Sequence, residues 1–313
     1  MGILVVGSVA LDSVKTPSGI KTDALGGSAT YFSVAASYFT EVSIVAVVGD
    51  DFPEEHVKFL QRKGIDTSGL QQVQGNTFRW KGEYGSDLNT CTTLDTQLNV
   101  FADFSPKLLG THRALEYIFL GNIDPGLQRA VLEQVKQPKL VACDTMNFWI
   151  QHSRASLLQT LAKIDLLIIN DGEARQLSAE TNLLRAARKI VSMGPKTLVI
   201  KRGEHGALLF NGNSMFSAPA YPLEEVMDPT GAGDSFAGGL MGYLAASGAC
   251  DDAALRKAVI FGSVMASFNV MDFGPRKLGD LTFPEIEARF REFHRLSAFE
   301  NIALDSATAE ELL

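Results

Sequence analysis

The feature that most constrains this chain is a repeated alternation of two kinds of segment. Short apolar runs rich in Val, Ile and Leu fall at 3–6, 42–48, 117–120, 140–143, 166–170 and 197–201, and longer amphipathic stretches lie between them at 29–39, 53–63, 125–136, 153–163 and 183–193. An apolar run of that length with no polar alternation is a strand covered on both faces. Strands separated by helix-length crossovers pair in parallel, because each crossover carries the chain back across the sheet. The pattern predicts an α/β fold, a doubly wound and mostly parallel sheet with helices on both faces. Asp124-Pro125 reads as an N-cap followed by proline at the first helical position, which fixes the start of the helix at 125.

One segment breaks the alternation. Residues 75–104 are dense in Thr, Phe, Trp, Tyr and Asn without helical periodicity, and they predict antiparallel strands inserted into the α/β body. Joined with the excursion at 13–25, they are expected to form a small β lid at one edge of the main sheet. With no internal repeat or proline-rich linker in 313 residues, 1–313 reads as a single domain carrying that lid. Within Phe78-Arg79-Trp80-Lys81, strand geometry sends Phe78 and Trp80 to one face and Arg79 and Lys81 to the other. Facing inward, the aromatic side would stack on a nucleobase; facing outward, it would bury against a second lid in a homodimer.

Charge narrows the partners. Lys and Arg number 28 against 36 Asp and Glu, a net charge of −8, so the long-range field repels nucleic acid and anionic membrane. An anionic ligand must then be held by local devices: backbone N–H groups, a helix N-terminus, a metal ion. Cys91, Cys143 and Cys250 are scattered and form no CxxC pair, which is the usage of a reducing cytoplasm and supports neither a disulfide framework nor a zinc site. The chain enters Ile3-Leu4-Val5-Val6 directly from Met1 with no basic segment before it, as a cytoplasmic protein would. His56, His112, His152, His205 and His294 show no ligand spacing.

The chemistry concentrates in Asp228-Pro229-Thr230-Gly231-Ala232-Gly233-Asp234-Ser235-Phe236. A turn of small residues lets backbone N–H groups converge, and the helix that follows adds about half a positive charge at its start. Gly231, Ala232 and Gly233 thus read as an anion hole. An aspartate beside such a hole competes with the anion if it is only a cap, but it is well placed as a base. Gly238, Gly239 and Gly242 further along are explained equally by close helix packing.

The string as a whole resembles the C-terminal signature of the PfkB or ribokinase family of carbohydrate kinases, and other landmarks follow in the family's order. Gly7-Ser8-Val9-Ala10-Leu11-Asp12 resembles the strand-end turn whose aspartate grips sugar hydroxyls, and Gly26-Gly27-Ser28-Ala29 the first glycine motif. Asn170-Asp171-Gly172-Glu173 is similar to the Asn-x-x-Glu motif associated with magnesium and phosphate. Lys201-Arg202-Gly203-Glu204-His205-Gly206 is similar to the strand and turn that contact the nucleotide, and Phe261-Gly262-Ser263 through Asn269 to the helix that lines the adenine pocket, with Gly274 closing the loop beyond.

The resemblance implies a magnesium-dependent kinase that moves the γ-phosphoryl group of ATP onto a hydroxymethyl group of a neutral sugar, with Asp234 as the base. It implies Asp12, Gly26, Gly27 and Asn147 on the acceptor, Asn170, Lys201, Gly203, Gly206, Thr230, Gly262 and Ser263 on the nucleotide, and Glu173 with Asn170 on Mg2+. Asp228 and Thr230 are candidate ligands for a monovalent cation such as K+, as in some relatives. Asp144-Thr145-Met146-Asn147-Phe148-Trp149 departs from the family's Asp-x-Asn-Pro-Arg-like stretch by lacking the proline and the arginine. That departure leaves the acceptor open between a sugar and an adenosine-like nucleoside. A sensor that binds such a ligand without turnover is the reading from another class. Neither Gly-x-x-x-x-Gly-Lys nor Gly-x-Gly-x-x-Gly after an early strand occurs, which removes P-loop kinases and dinucleotide-binding dehydrogenases.

Overall fold

The computed structural model describes residues 2–299; Met1 and residues 300–313 of the expected domain lie outside the described residues. In chain order the strands are β1 (Gly2–Val6), β2 (Ala10–Thr16), β3 (Gly19–Gly26), β4 (Glu41–Gly49), β5 (Ile65–Val73), β6 (Arg79–Tyr84), β7 (Cys91–Gln97), β8 (Tyr117–Leu120), β9 (Leu140–Cys143), β10 (Leu166–Asn170), β11 (Thr197–Lys201), β12 (Ala207–Asn211) and β13 (Ser214–Ala218). The helices are α1 (Ser28–Ala36), α2 (Glu54–Arg62), α3 (Pro125–Leu132), α4 (Asn147–His152), α5 (Arg154–Leu161), α6 (Asp171–Ser178), α7 (Leu183–Val191), α8 (Ala232–Ser247), α9 (Asp252–Asn269), α10 (Arg276–Gly279) and α11 (Phe283–Ser297).

The body is one nine-stranded sheet in the order β13-β12-β11-β10-β9-β8-β1-β4-β5. From β11 to β5 every pairing is parallel; β12 and β13 extend one edge as antiparallel strands. Successive residues of β1 feed opposite cores, as the strand's period of two requires. Ile3 and Val5 pack on the side of α1, α8 and α9, whereas Leu4 and Val6 pack on the side of α3, α5 and α7. All four are fully buried. The Asp124 side chain accepts from the N–H groups of Gly126 and Leu127, capping α3 with Pro125 in its first turn.

α8 lies between α1 and α9, and its glycines make that approach possible. A Cβ on Gly242 would stand 3.2 Å from the Ala36 backbone of α1, and one on Gly239 would stand 2.6 Å from Met265 of α9. Gly238, against Phe32 and Ala35 of α1, has the same role. The packing explanation holds for these three, and the chemistry is left to the turn before them.

The lid is a separate four-stranded sheet, β3-β2-β6-β7. Its central pair, β2 and β6, is parallel, with Asp12 opposite Trp80. This differs from the all-antiparallel expectation for a topological reason. β2 leaves the body from β1 and β6 follows β5, and those two body strands run the same way. Hydrogen bonds from Thr16 Oγ1 to the Met227 carbonyl at 2.8 Å and from Ser18 Oγ to the Val226 carbonyl at 3.2 Å fasten the lid to the segment before the glycine turn. Among the described residues no helix is long and apolar enough to cross a membrane.

Candidate active site

The body's strands from β11 to β5 run parallel, so their C-terminal ends share one edge of the sheet, the edge at which open α/β sheets place ligands. Asp12 sits on β2 at a register shift between Asp12 and Val14, the kind of irregularity that re-aims a side chain beside a site. It is buried; its Oδ2 accepts from the Gly27 N–H at 3.3 Å, and its carboxylate lies against Gly26 where a side chain would otherwise stand. Gly27 starts α1 at φ 92°, and a Cβ there would stand 2.5 Å from the Ser8 carbonyl oxygen. Ser8 and Ser28 exchange backbone-to-hydroxyl bonds at 3.2 and 3.0 Å, locking the end of β1 onto the start of α1. The first glycine motif is thus a close junction that brings Asp12 to the foot of the lid.

The turn before α8 is held from both sides. The Thr230 N–H donates to Asp228 Oδ1 at 2.9 Å, and the Thr230 carbonyl accepts from Asn269 Nδ2 at 2.7 Å. Asn269, itself fully buried, also accepts from Ser235 Oγ at 3.1 Å, so the end of α9 clamps the start of α8. Gly231 has φ 75° and ψ 0°, the left-handed conformation, and packs on the ring of Tyr31 with no room for a side chain. The structure corrects one detail. The Ala232 N–H donates to the Pro229 carbonyl at 3.1 Å and closes the turn, so it is committed. Among the described residues, the N–H groups of Gly231 and Gly233 meet no protein acceptor and stay open at the turn.

Across the cleft, Asp144 directly follows β9, and β10 and β11 end in Asn170 and Lys201. Asn170 and Glu173 form a reciprocal capping box on α6: Asn170 Oδ1 accepts from the Glu173 N–H at 2.8 Å, and Glu173 Oε2 accepts from the Asn170 N–H at 2.8 Å. One carboxylate oxygen therefore organises the helix and the other is left for the cleft of about 370 Å³ that Glu173 lines with Asn147, Asn170, Gly172 and Gln176. Asn147, expected on the acceptor, thus lies beside Asn170 and Glu173. Gly203 and Gly206 bracket the turn after β11, where the Arg202 N–H donates to the Gly206 carbonyl at 2.8 Å. Asn89 of the lid reaches that turn by donating to Glu204 Oε1 at 3.1 Å. Gly262 lets α9 approach the Phe236 backbone of α8, and the Ser263 hydroxyl donates to Val259 within its own helix.

The carboxylates crowd one another in a poorly solvated place. Asp234 is half-buried in the first turn of α8; desolvation pushes it up to about 6, with the Lys201 ammonium opposing. Burial pushes Asp12 up to about 7, against the Gly27 N–H and with the help of the negative charges of Asp228 and Asp234. Asp144, which the sequence places at the departure from the family pattern, is buried with Oδ1 unpartnered. Burial first, then the negative charge of Asp234, holds it well above the carboxylate range. Tyr31, fully buried and facing Asp12, Asp228 and Asp234, is raised as well, chiefly by burial. Two carboxylates raised toward neutrality and a glycine turn with open N–H groups are features that phosphoryl transfer can use.

Residues 3–279 match the pfkB family of carbohydrate kinases. The chain belongs to that family. It is 28% identical over 249 residues to the cytidine kinase of Thermococcus kodakarensis, covering 78% of this chain and 88% of the relative. It is 25% identical over 296 residues to the deoxyribokinase of Salmonella typhi, covering 87% and 88%. The aminoimidazole riboside kinase from Salmonella enterica, solved with aminoimidazole riboside and an ATP analogue, shares the ribokinase-like fold at a TM-score of 0.72 and 19% identity, over 93% of this chain and 100% of that one.

In this kinase the raised carboxylates should also be visible in stability. Asp12 prefers its proton in the fold and not in the unfolded chain. Its contribution is therefore full below pH about 4 and is lost as pH rises through about 7. Asp12→Asn keeps an acceptor for the Gly27 N–H and removes the desolvated charge. At pH 8 it is expected to stabilise the free protein by about 2 kcal/mol, roughly 4 °C or more in Tm, with the gap narrowing as pH falls to 4. Thermal melts of both proteins across that range check it, and a variant less stable at pH 8 would contradict the desolvation account.

Proposed function

We propose that the chain transfers the γ-phosphoryl group of ATP to a hydroxymethyl group of a neutral sugar, with Asp234 as general base. The observation that carries this reading is the placement of one near-neutral carboxylate directly beside two open backbone N–H groups at the start of α8. Asp234 takes the hydroxyl proton as the oxygen attacks, the acceptor O–P bond forms, and the bond from the γ-phosphorus to the bridging oxygen breaks to leave ADP. The N–H groups of Gly231 and Gly233 receive the charge on the transferred group. Asp12 orients the acceptor. Lid strands overhead exclude water, which limits wasteful hydrolysis.

Mg2+ fits the residues present. Among the described residues no three acidic, His or Cys side chains gather into a metal cage, and Mg2+ at kinase sites needs only one or two protein oxygens besides phosphate. Glu173 with Asn170 would hold it, and the unpartnered Asp144 Oδ1 offers a further acceptor nearby. Bound there, it would neutralise phosphate charge. Gly203, Gly206, Gly262 and Ser263 are assigned to the nucleotide on family grounds. K+ at Asp228 and Thr230 belongs to the same reading; equal activity without K+ would remove it. The three unbridged cysteines support a cytoplasmic location, and the exposed Ile20 and Leu94 of the lid support a homodimer through that sheet.

One observation favours the nucleoside alternative. Trp80 pairs with Asp12 and so shares its face of the lid. Tyr84, two strand steps on, accepts from Thr230 Oγ1 of the glycine turn at 3.5 Å, so this face looks into the site. Phe78 is spent on stacking with Phe101 at 5.3 Å, which leaves Trp80 as the aromatic surface beside the acceptor. On the opposite face Arg79 is consumed by Asp23 and Asp51, at 2.6 and 2.9 Å, so the lid offers no free guanidinium for a phosphosugar. Acceptor-dependent ADP release across neutral sugars and nucleosides tests both readings. Release with a neutral acceptor supports the kinase, with Trp80→Ala raising KM selectively for nucleosides if the alternative holds. Binding without release would favour a sensor.

A further inference from the structure

Lys201 ends β11, hydrogen-bonded in register with Asn170 at the end of β10. Its side chain crosses the cleft toward α8: Nζ would stand 2.5 Å from a Cβ built on Gly233. The ammonium therefore lies over one of the two residues whose N–H groups are open. Asp234, Asp144 and Glu173 all feel its charge, yet among the described residues it forms a direct ion pair with none of them. A partly buried ammonium ringed by carboxylates and paired with none is held at a compromise position, and its nearest surroundings are those of an anion site.

We propose that Lys201 is a catalytic residue whose ammonium completes the anion hole and binds the phosphoryl group in flight, beside the Gly231 and Gly233 N–H groups. This rests on the phosphoryl-transfer reading above and goes beyond a general contact with the nucleotide. As the acceptor oxygen bonds to phosphorus and the bridging oxygen leaves with ADP, negative charge spreads over the three remaining oxygens of the transferred group. An ammonium directed at that position, within a poorly solvated cleft, stabilises the transition state more than the bound ATP. The location also explains why residue 233 is glycine although its backbone is ordinary helix. A methyl there would displace the lysine tip and no backbone atom.

The test uses Lys201→Met, Gly233→Ala and the double variant, each checked for folding by its Tm. Lys201→Met is expected to lower kcat by about 10²-fold, with acceptor KM and the Kd of a non-hydrolysable ATP analogue each within about threefold. Binding of ADP with aluminium fluoride and acceptor, a mimic of the transferring group, should weaken by a comparable factor. Gly233→Ala, which favours the helix, should lower kcat by about tenfold, and the double variant should be no slower than Lys201→Met, because alanine acts by displacing the lysine. Unchanged kcat in Lys201→Met, a loss confined to ATP-analogue affinity, or full additivity in the double variant would each overturn the proposal. If Lys201→Met does not fold, wild-type turnover in Gly233→Ala overturns it. Absence of acceptor-dependent turnover in the wild type would instead remove the underlying reading.

Discussion

Asp234→Asn is expected to lower kcat by about 10²-fold or more while leaving ATP affinity nearly intact. The two side chains have the same shape, so the turn, the clamp by Asn269 and the open N–H groups persist. What is lost is the capacity to accept the hydroxyl proton. The substitution also removes a desolvated charge from a site that holds Asp12, Asp144, Asp228 and Glu173. The unfolding midpoint at neutral pH should therefore not fall, which separates lost chemistry from lost folding. Steady-state kinetics, analogue binding and a melt give the three readouts, and wild-type-like turnover would remove Asp234 from its role.

Gly231→Ala is the second large effect, and it arises from backbone geometry. A non-glycine residue in the left-handed conformation costs roughly 1–2 kcal/mol, and here the new methyl also meets the ring of Tyr31 in a packed interior. Overpacking of that kind costs a further ~1–3 kcal/mol. The chain can relieve both only by moving the turn, and the turn carries the open N–H groups. The expected result is a Tm lowered by several degrees together with a kcat lowered by about 10²-fold. A crystal structure or amide exchange at the start of α8 would show the displacement; full activity in a stable variant would show that this N–H geometry does not matter.

Much of this was legible in the sequence because it is local. The strands 3–6, 117–120, 140–143, 166–170 and 197–201 carry unbroken apolar runs, and they form β1, β8, β9, β10 and β11 with bounds that differ by at most one residue. β5 gave no such signal. Asp66, Thr67, Ser68, Gln71 and Gln72 make it polar, which an edge strand tolerates because one side meets solvent. The hairpin β12–β13 lies at the other edge and was equally hidden. The split of the lid into a polar and an aromatic face followed from strand period, but the parallel pairing of β2 and β6 depends on where distant body strands run.

Within the site, residues at strand ends were readable by one rule, and Asp144 obeys that rule as clearly as Asn170 and Lys201. Its position was obscured by the missing proline and arginine after it. Tyr31 gave no signal, since an aromatic residue in an apolar helix is ordinarily core, and only the fold brings Gly231 against it. Asn269 looked like the end of a small-residue helix, and its two hydrogen bonds to the turn depend on how α9 meets α8. The commitment of the Ala232 N–H was likewise hidden, because a string of small residues does not say which way its peptide groups point.

The most direct measurement of the central claim is transfer of radiolabel from the γ-phosphoryl group of ATP to a panel of neutral sugars and nucleosides, run side by side with wild type and Asp234→Asn. The account predicts a labelled phosphomonoester on the hydroxymethyl group of one acceptor class with the wild type, and at least a hundredfold less, roughly, with the variant. Equal labelling by the two proteins, or label found only in inorganic phosphate, would contradict it.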